Sequence, residues 1–99
     1  MVTASVAPRV TISTNLPANQ VTRKAPMTIT AAVIAGSDRV DRVEFLVGSS
    51  VVCTDRTAPD YTCSWVVPAA GNKTYQLHAN VYDVSDHSAG SNTVTITIR

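Results

Sequence analysis

The chain has no apolar run near the ~20 residues needed to cross a bilayer as a helix, so no helical membrane insertion is expected. No stretch repeats its apolar residues at the 3.6-residue period of an amphipathic helix, which argues against a helical fold. Aromatics are scarce: one Phe, one Trp and three Tyr in 99 residues. A sugar platform of several exposed rings is hard to assemble from so few, since the core takes large aromatics first. An excess of either charge is also missing. Eight Lys and Arg stand against seven Asp and Glu, for a net +1 without a basic stripe, so phosphate-driven binding of nucleic acid is not expected. There is no glycine-rich phosphate loop. The two cysteines lack CxxC spacing, and His78 and His87 are distant from each other and from the cysteines. These gaps leave no redox pair and no four-ligand zinc site. Ser88 and Asp86 flank His87, but neighbours in one loop do not hold a base and a nucleophile in fixed geometry. One domain of this size buries roughly 60–65% of its unfolded surface and has little volume left to wall a cleft. An enzyme is therefore not expected.

The N-terminus, MVTASVAP, has no basic start followed by an apolar stretch. The expectation is either a cytoplasmic protein or a piece of a larger secreted chain with Met1 added, and the cysteines bear on the choice. Nine residues stand between them, Cys53 and Cys63 lying on neighbouring expected strands. Reduced, they would be two small buried hydrophobes. In an oxidising compartment they would pair, closing a loop worth roughly 3 kcal/mol in the chain-entropy model. The compartment rule favours the disulfide, and with it an extracellular or cell-surface location.

What is present is strand pattern. Residues 1–8 are small and polar and form a linker or disordered lead-in, with a single domain over residues 9–99. Residues 9–14 alternate through Val10 and Ile12, and residues 15–19 are dense in turn formers. Val21 is expected to pin the chain to the core edge. Met27, Ile29, Ala31 and Val33 share one face of a second strand, which ends at Gly36-Ser37-Asp38. Val43, Phe45 and Val47 alternate with Glu44 and Leu46, the two-residue period of a half-buried strand. Gly48-Ser49-Ser50 then turns the chain back. Tyr61, Cys63 and Trp65 fall in one row, expected to be core. Residues 74–82 place Tyr75, Leu77, Ala79 and Val81 inward. Residues 83–91 read as a polar loop, and Val94, Ile96 and Ile98 close the chain. About seven short strands with turns at nearly regular spacing give an all-β antiparallel sandwich of immunoglobulin type, in preference to a small closed barrel. The two ends of such a fold emerge at opposite poles.

The run RVEFLVGSSVVCTDRTAPDYTCSWVVPAAGNKTYQLHANVYD resembles the bacterial Ig-like domains, whose pattern is a V-E-F strand, a short turn, a T-D-x-T-A-P corner, an aromatic strand ending in Trp, a glycine-containing turn and a Y-x-L-x-A-x-V-x-D strand. The preceding strand and residues 93–98 also fit, so the resemblance covers nearly everything after residue 9. Two departures stand out: Asp60 looks inserted after Pro59, and Cys53 and Cys63 occupy positions where other members often carry small and aromatic residues. The resemblance implies a non-catalytic spacer or accessory module of a secreted or surface-bound bacterial protein, monomeric, with neighbouring domains as its partners. A carbohydrate- or protein-binding module, with a polysaccharide or a surface protein as partner, is the alternative.

Two groups of residues are candidates for binding. Asp38 and Asp41 lie in the turn between the second and third strands, and Asp83 and Asp86 in the turn before the last. In an Ig-type sandwich those turns share an end, so four carboxylates are expected to converge there on a hard cation such as Ca²⁺, at the weak affinity, on the order of 0.1–1 mM, of extracellular modules. The plainer explanation is that Asp is favoured in turns for its local hydrogen bonds, and neither turn has the Asp-x-Asp-x-Asp-Gly spacing of a dedicated calcium loop. No other cofactor is expected. Tyr82 falls on the outward face of its strand and is the one aromatic available to a ligand.

Overall fold

A computed structural model of the chain describes residues 6–15, 21–57, 61–68 and 73–98. The described residues form strands and turns without a helix. The strands are β1 (Arg9–Thr14), β2 (Pro26–Ile34), β3 (Val40–Val47), β4 (Ser50–Asp55), β5 (Tyr61–Val66), β6 (Thr74–Asp83), β7 (Ser88–Gly90) and β8 (Val94–Thr97). One sheet runs β1-β2-β5 and the other β4-β3-β6-β7, with β8 also pairing β6. Every strand pairing is antiparallel.

Alternation along each strand decides which side chains are inside. Val10 and Ile12 of β1, Met27, Ile29 and Ala31 of β2, Val43 and Phe45 of β3, Tyr61 and Cys63 of β5, and Leu77, Ala79 and Val81 of β6 form one buried cluster between the sheets. Phe45, the chain's single Phe, is fully buried at its centre. Val21 is fully buried too and makes an isolated bridge to Ile98. Gly48 turns β3 into β4 with φ 62, a conformation that costs an L side chain free energy and costs glycine none.

The described residues make eight strands where the alternation marks about seven, because part of the expected polar loop pairs. Ser88, Ala89 and Gly90 lie against Tyr82, Val81 and Asn80. Three small residues carry no apolar signal; the unpaired edge of β6 is what recruits them. Residues 91–93 then cross to β8. At this break Ser91 exchanges hydrogen bonds with Ala79, its N–H donating to the Ala79 carbonyl and its Oγ accepting from the Ala79 N–H, both at 2.8 Å. Asn92 reaches to the other sheet, where its Oδ1 accepts from the Ile12 N–H at 2.8 Å and its Nδ2 donates to the Ile12 carbonyl at 3.3 Å.

The sandwich has two open seams, and each is closed differently. Asn92 stitches the β1 side. On the β4 side the Cys53–Cys63 disulfide joins the edge strands of the two sheets, with a Cα–Cα distance of 5.8 Å. The cysteines are thus neighbours across the sandwich, not within one ladder.

The register fixes where the chain comes in and where it leaves. β1 starts at Arg9 opposite Ile34, the end of β2. Just upstream, the Val6 N–H donates to Ser37 Oγ at 2.7 Å and the Ser37 N–H donates to the Val6 carbonyl at 2.9 Å. Any Cβ on Gly36 would collide with the Val6 and Ala7 backbone, so glycine is what lets residues 6–8 lie across this turn. The chain leaves at the other end, where the Ile98 N–H donates to the Lys73 carbonyl at 2.8 Å and the Val21 N–H to the Thr97 carbonyl at 3.1 Å. The Cα trace spans 56 × 20 × 20 Å, a rod with a leading end and a trailing end.

Candidate functional site

The leading end gathers the β2–β3 turn, the β4–β5 connection and the β6–β7 turn. Asp83 has the same parity as Leu77, Ala79 and Val81, so its side chain points inward and is 2% exposed. A buried carboxylate is costly unless its oxygens accept hydrogen bonds. Here Oδ1 accepts from the Ser85 and His87 N–H groups at 2.9 and 2.8 Å, and Oδ2 lies 2.9 Å from His87 Nδ1. Burial by itself would raise the Asp83 carboxyl; the bonds from His87 and Ser85 outweigh it and hold the group below the usual carboxylate range. The β6–β7 turn is therefore wound around Asp83. It also touches the β2–β3 turn, through the Val84 N–H and the Arg39 carbonyl at 3.1 Å.

Asp38 comes from that facing turn, its carboxylate 3.8 Å from His87 Nδ1. Among the described residues, the group able to offer an ion several ligands is Asp38, Asp83 and His87, whose ligand atoms lie within 4.8 Å of one another. Two of the four aspartates expected together, Asp38 and Asp83, do meet. Asp41 and Asp86 lie outside the group. Asp41 Oδ2 is taken by Arg42 at 2.8 Å and Arg56 at 3.1 Å, and the Arg42 hydrogen bond is the main cause of its lowered pKa. Asp86 is exposed, at φ 66 in the turn. His87, weighed from sequence as a base or a zinc ligand, is the member not expected beside the aspartates. The alternation of β6, carried one step further to Asp83, was the available signal for the buried carboxylate.

Asp55 closes the same end of the β4–β5 seam by accepting from the Thr57 and Thr62 N–H groups at 2.8 and 3.0 Å. Burial pulls its carboxyl upward, and the two N–H donors more than offset that pull. Tyr82 stands on the outer face of β6, opposite Arg42 in register. The Arg42 guanidinium sits 4.2 Å from its ring centroid. One ring face is thereby occupied by a cation–π contact.

The trailing end is built from other material. Trp65 has inward parity but lies opposite Met27, one position from where β2 starts at Pro26. It is partly buried, not enclosed, and meets partly buried Tyr75 edge to face with centroids 6.1 Å apart and planes at 75°. The same end carries Arg23, Lys24 and Lys73, all exposed.

A two-sheet antiparallel sandwich ordered β1-β2-β5 and β4-β3-β6-β7 has the immunoglobulin- or fibronectin-type fold. The chain belongs to the bacterial Ig domain family Big_7, whose family model matches residues 8–79. Among solved structures it is similar to the fibronectin(III)-like modules of Clostridium thermocellum CbhA, with a TM-score of 0.76, 25% identity, and coverage of 90% of this chain and 93% of that one. It is also similar to an engineered protein solved by crystallography, with a TM-score of 0.57 and 23% identity, covering 93% of this chain and 20% of that one. No curated protein sequence matches it.

Proposed function

We infer that the chain is a non-catalytic, extracellular spacer or accessory module of a larger bacterial protein, one that sets the separation of its neighbours. The observation that carries this reading is the tying of both chain ends to opposite poles of one rod, through Val6 and Ser37 at one and Val21, Lys73, Thr97 and Ile98 at the other. A disulfide is compatible with an oxidising compartment. Membership of the bacterial Ig domain family and likeness to a fibronectin(III)-like module support an accessory role.

In this reading the Asp38, Asp83 and His87 group is a turn latch. The Asp83 oxygens already accept three hydrogen bonds, and an incoming Ca²⁺ would have to displace the His87 contact. Small-angle scattering tests the spacer: the profile should be that of a monomeric rod, and it should not change on adding millimolar Ca²⁺. A compact sphere, a dimer, or a Ca²⁺-dependent change of shape would refute it.

A further inference from the structure

The near-zero net charge conceals a segregation. Among the described residues, every Asp and Glu sits at the leading end or, for Glu44, midway along the rod; none is at the trailing end. The trailing end carries Arg23, Lys24 and Lys73. None of the three takes part in an ion pair among the described residues; at the leading end Arg42 and Arg56 are paired with Asp41 and Glu44, and Arg9 and Arg39, though unpaired, share that end with the carboxylates. An uncompensated cluster of cations focuses a positive potential on one small face.

The cations share this end of the rod with the aromatic pair. The Lys24 N–H donates to the Val67 carbonyl at 2.9 Å, two residues beyond Trp65. Lys73 stands two residues before Tyr75, and its carbonyl is bonded to Ile98, the residue that Val21 bridges. Backbone hydrogen bonds thus place Lys24 and Lys73 at the same end of the sandwich as Trp65 and Tyr75, with Arg23 next to Lys24 in the chain. Lys24 adds an independent observation. It occupies the left-handed region at φ 62, where glycine or asparagine would sit with less strain. A strained cationic residue in a turn points toward a use for the side chain.

We propose that the trailing end binds an anionic polysaccharide, its pyranose rings against the solvent-facing parts of Trp65 and Tyr75 and its carboxylates on Arg23, Lys24 and Lys73. Cations beside partly exposed aromatics suit a ligand with apolar C–H faces and negative groups in alternation. Nucleic acid fits less well, because three cations release few counterions. This inference goes beyond the spacer reading and stands or falls independently of it.

Trp65 is the chain's single Trp, so its fluorescence reports this end directly. The chain is titrated at low salt with oligogalacturonate, neutral xylo-oligosaccharide, oligodeoxythymidylate and polyglutamate, and then again in 0.3 M NaCl. The expected result is a saturable change with oligogalacturonate that weakens about tenfold or more with salt and in the combined variant Arg23→Gln, Lys24→Gln, Lys73→Gln. These three residues are exposed, so that variant folds, which circular dichroism confirms. Amide shifts in a ¹⁵N-labelled sample should be confined to the trailing end. No saturation, an equal response to the neutral sugar, indifference to the triple substitution, or shifts centred on Tyr82 or Asp38 would overturn the proposal. Tighter binding of the oligonucleotide or polyglutamate would overturn the assignment to a polysaccharide. The scattering experiment for the spacer uses none of these ligands, so the two readings can fail separately.

Discussion

The two ends of the rod are closed by opposite chemistry. At the leading end, carboxylates are spent internally: Asp83 and Asp55 hold backbone N–H groups and Asp41 holds two arginines. At the trailing end Arg23, Lys24 and Lys73 form no ion pair among the described residues, and two aromatics meet edge to face while keeping part of their surface in solvent. A charge engaged by several partners is structural, and its removal is felt in stability. A charge that is left free costs little to remove and is available to a ligand. Which end binds and which end holds can therefore be separated by experiment.

The largest effect should come from the seam between the ends. Reducing Cys53–Cys63 frees the sheet edges along the middle of the rod and should cost about 3 kcal/mol, a fall in Tm of roughly 12–24 °C for a domain of this size. Calorimetry with and without reductant measures it, and an unchanged Tm would mean that the bridge adds nothing to the fold. Next is Asp83→Ala. It strands the Ser85 and His87 donors and should lower Tm by on the order of 10 °C, with the loss of hydrogen-exchange protection concentrated at the leading end. Uniform loss along the whole rod would erase the contrast between the ends.

Acid should act on the same end. The folded pKa values of Asp83 and Asp55 lie below the ordinary carboxylate value, near 3.9 in an unfolded chain. Their contribution is complete above about pH 5 and is lost as pH falls below about 4 toward the folded values. A urea midpoint that stays level from pH 5 to pH 3 would contradict this. At the trailing end, Lys24→Gly should relieve the left-handed strain and raise Tm by a few degrees, the net of about 1 kcal/mol gained against glycine's larger unfolded entropy. The smallest effect belongs to Arg23→Gln, Lys24→Gln, Lys73→Gln, whose Tm should stay within about 3 °C of the parent. A large drop would show that these cations are structural after all.

Most of the sandwich was legible because alternation is a local signal. Met27, Ile29 and Ala31, or Leu77, Ala79 and Val81, declare their face without knowledge of the partner strand. Parity, however, tells which face a residue takes and not how far it lies from the end of the sheet. Trp65 has the right parity for the core and is nonetheless only partly covered, because it falls one position from where β2 begins. The same parity, followed to Asp83, reveals a buried carboxylate that its turn-forming type disguised. Asp38 and Asp83 could be brought together from sequence because Ig-type turns share an end. That Asp41 is held by Arg56 depends on a contact between residues fifteen apart in the chain. β7 and the reach of Asn92 to Ile12 were invisible for the same reason: small or polar residues carry no periodicity, and their partners lie far along the chain. Composition summed the charges and so lost their positions.

The placement of the two tied ends also determines how the domain meets a pulling force. β1, which receives the chain, and β8, which releases it, lie in different sheets. Tension between the ends draws each along its own length, so the six β1–β2 pairs and the four β6–β8 pairs are loaded together in shear instead of opening one at a time. Should a sheet give way, the disulfide withholds the segment between Cys53 and Cys63, a sequence separation of ten, from the extended length. Close to 35 Å of contour stays locked, which makes the bridge a stop on extension as well as a staple.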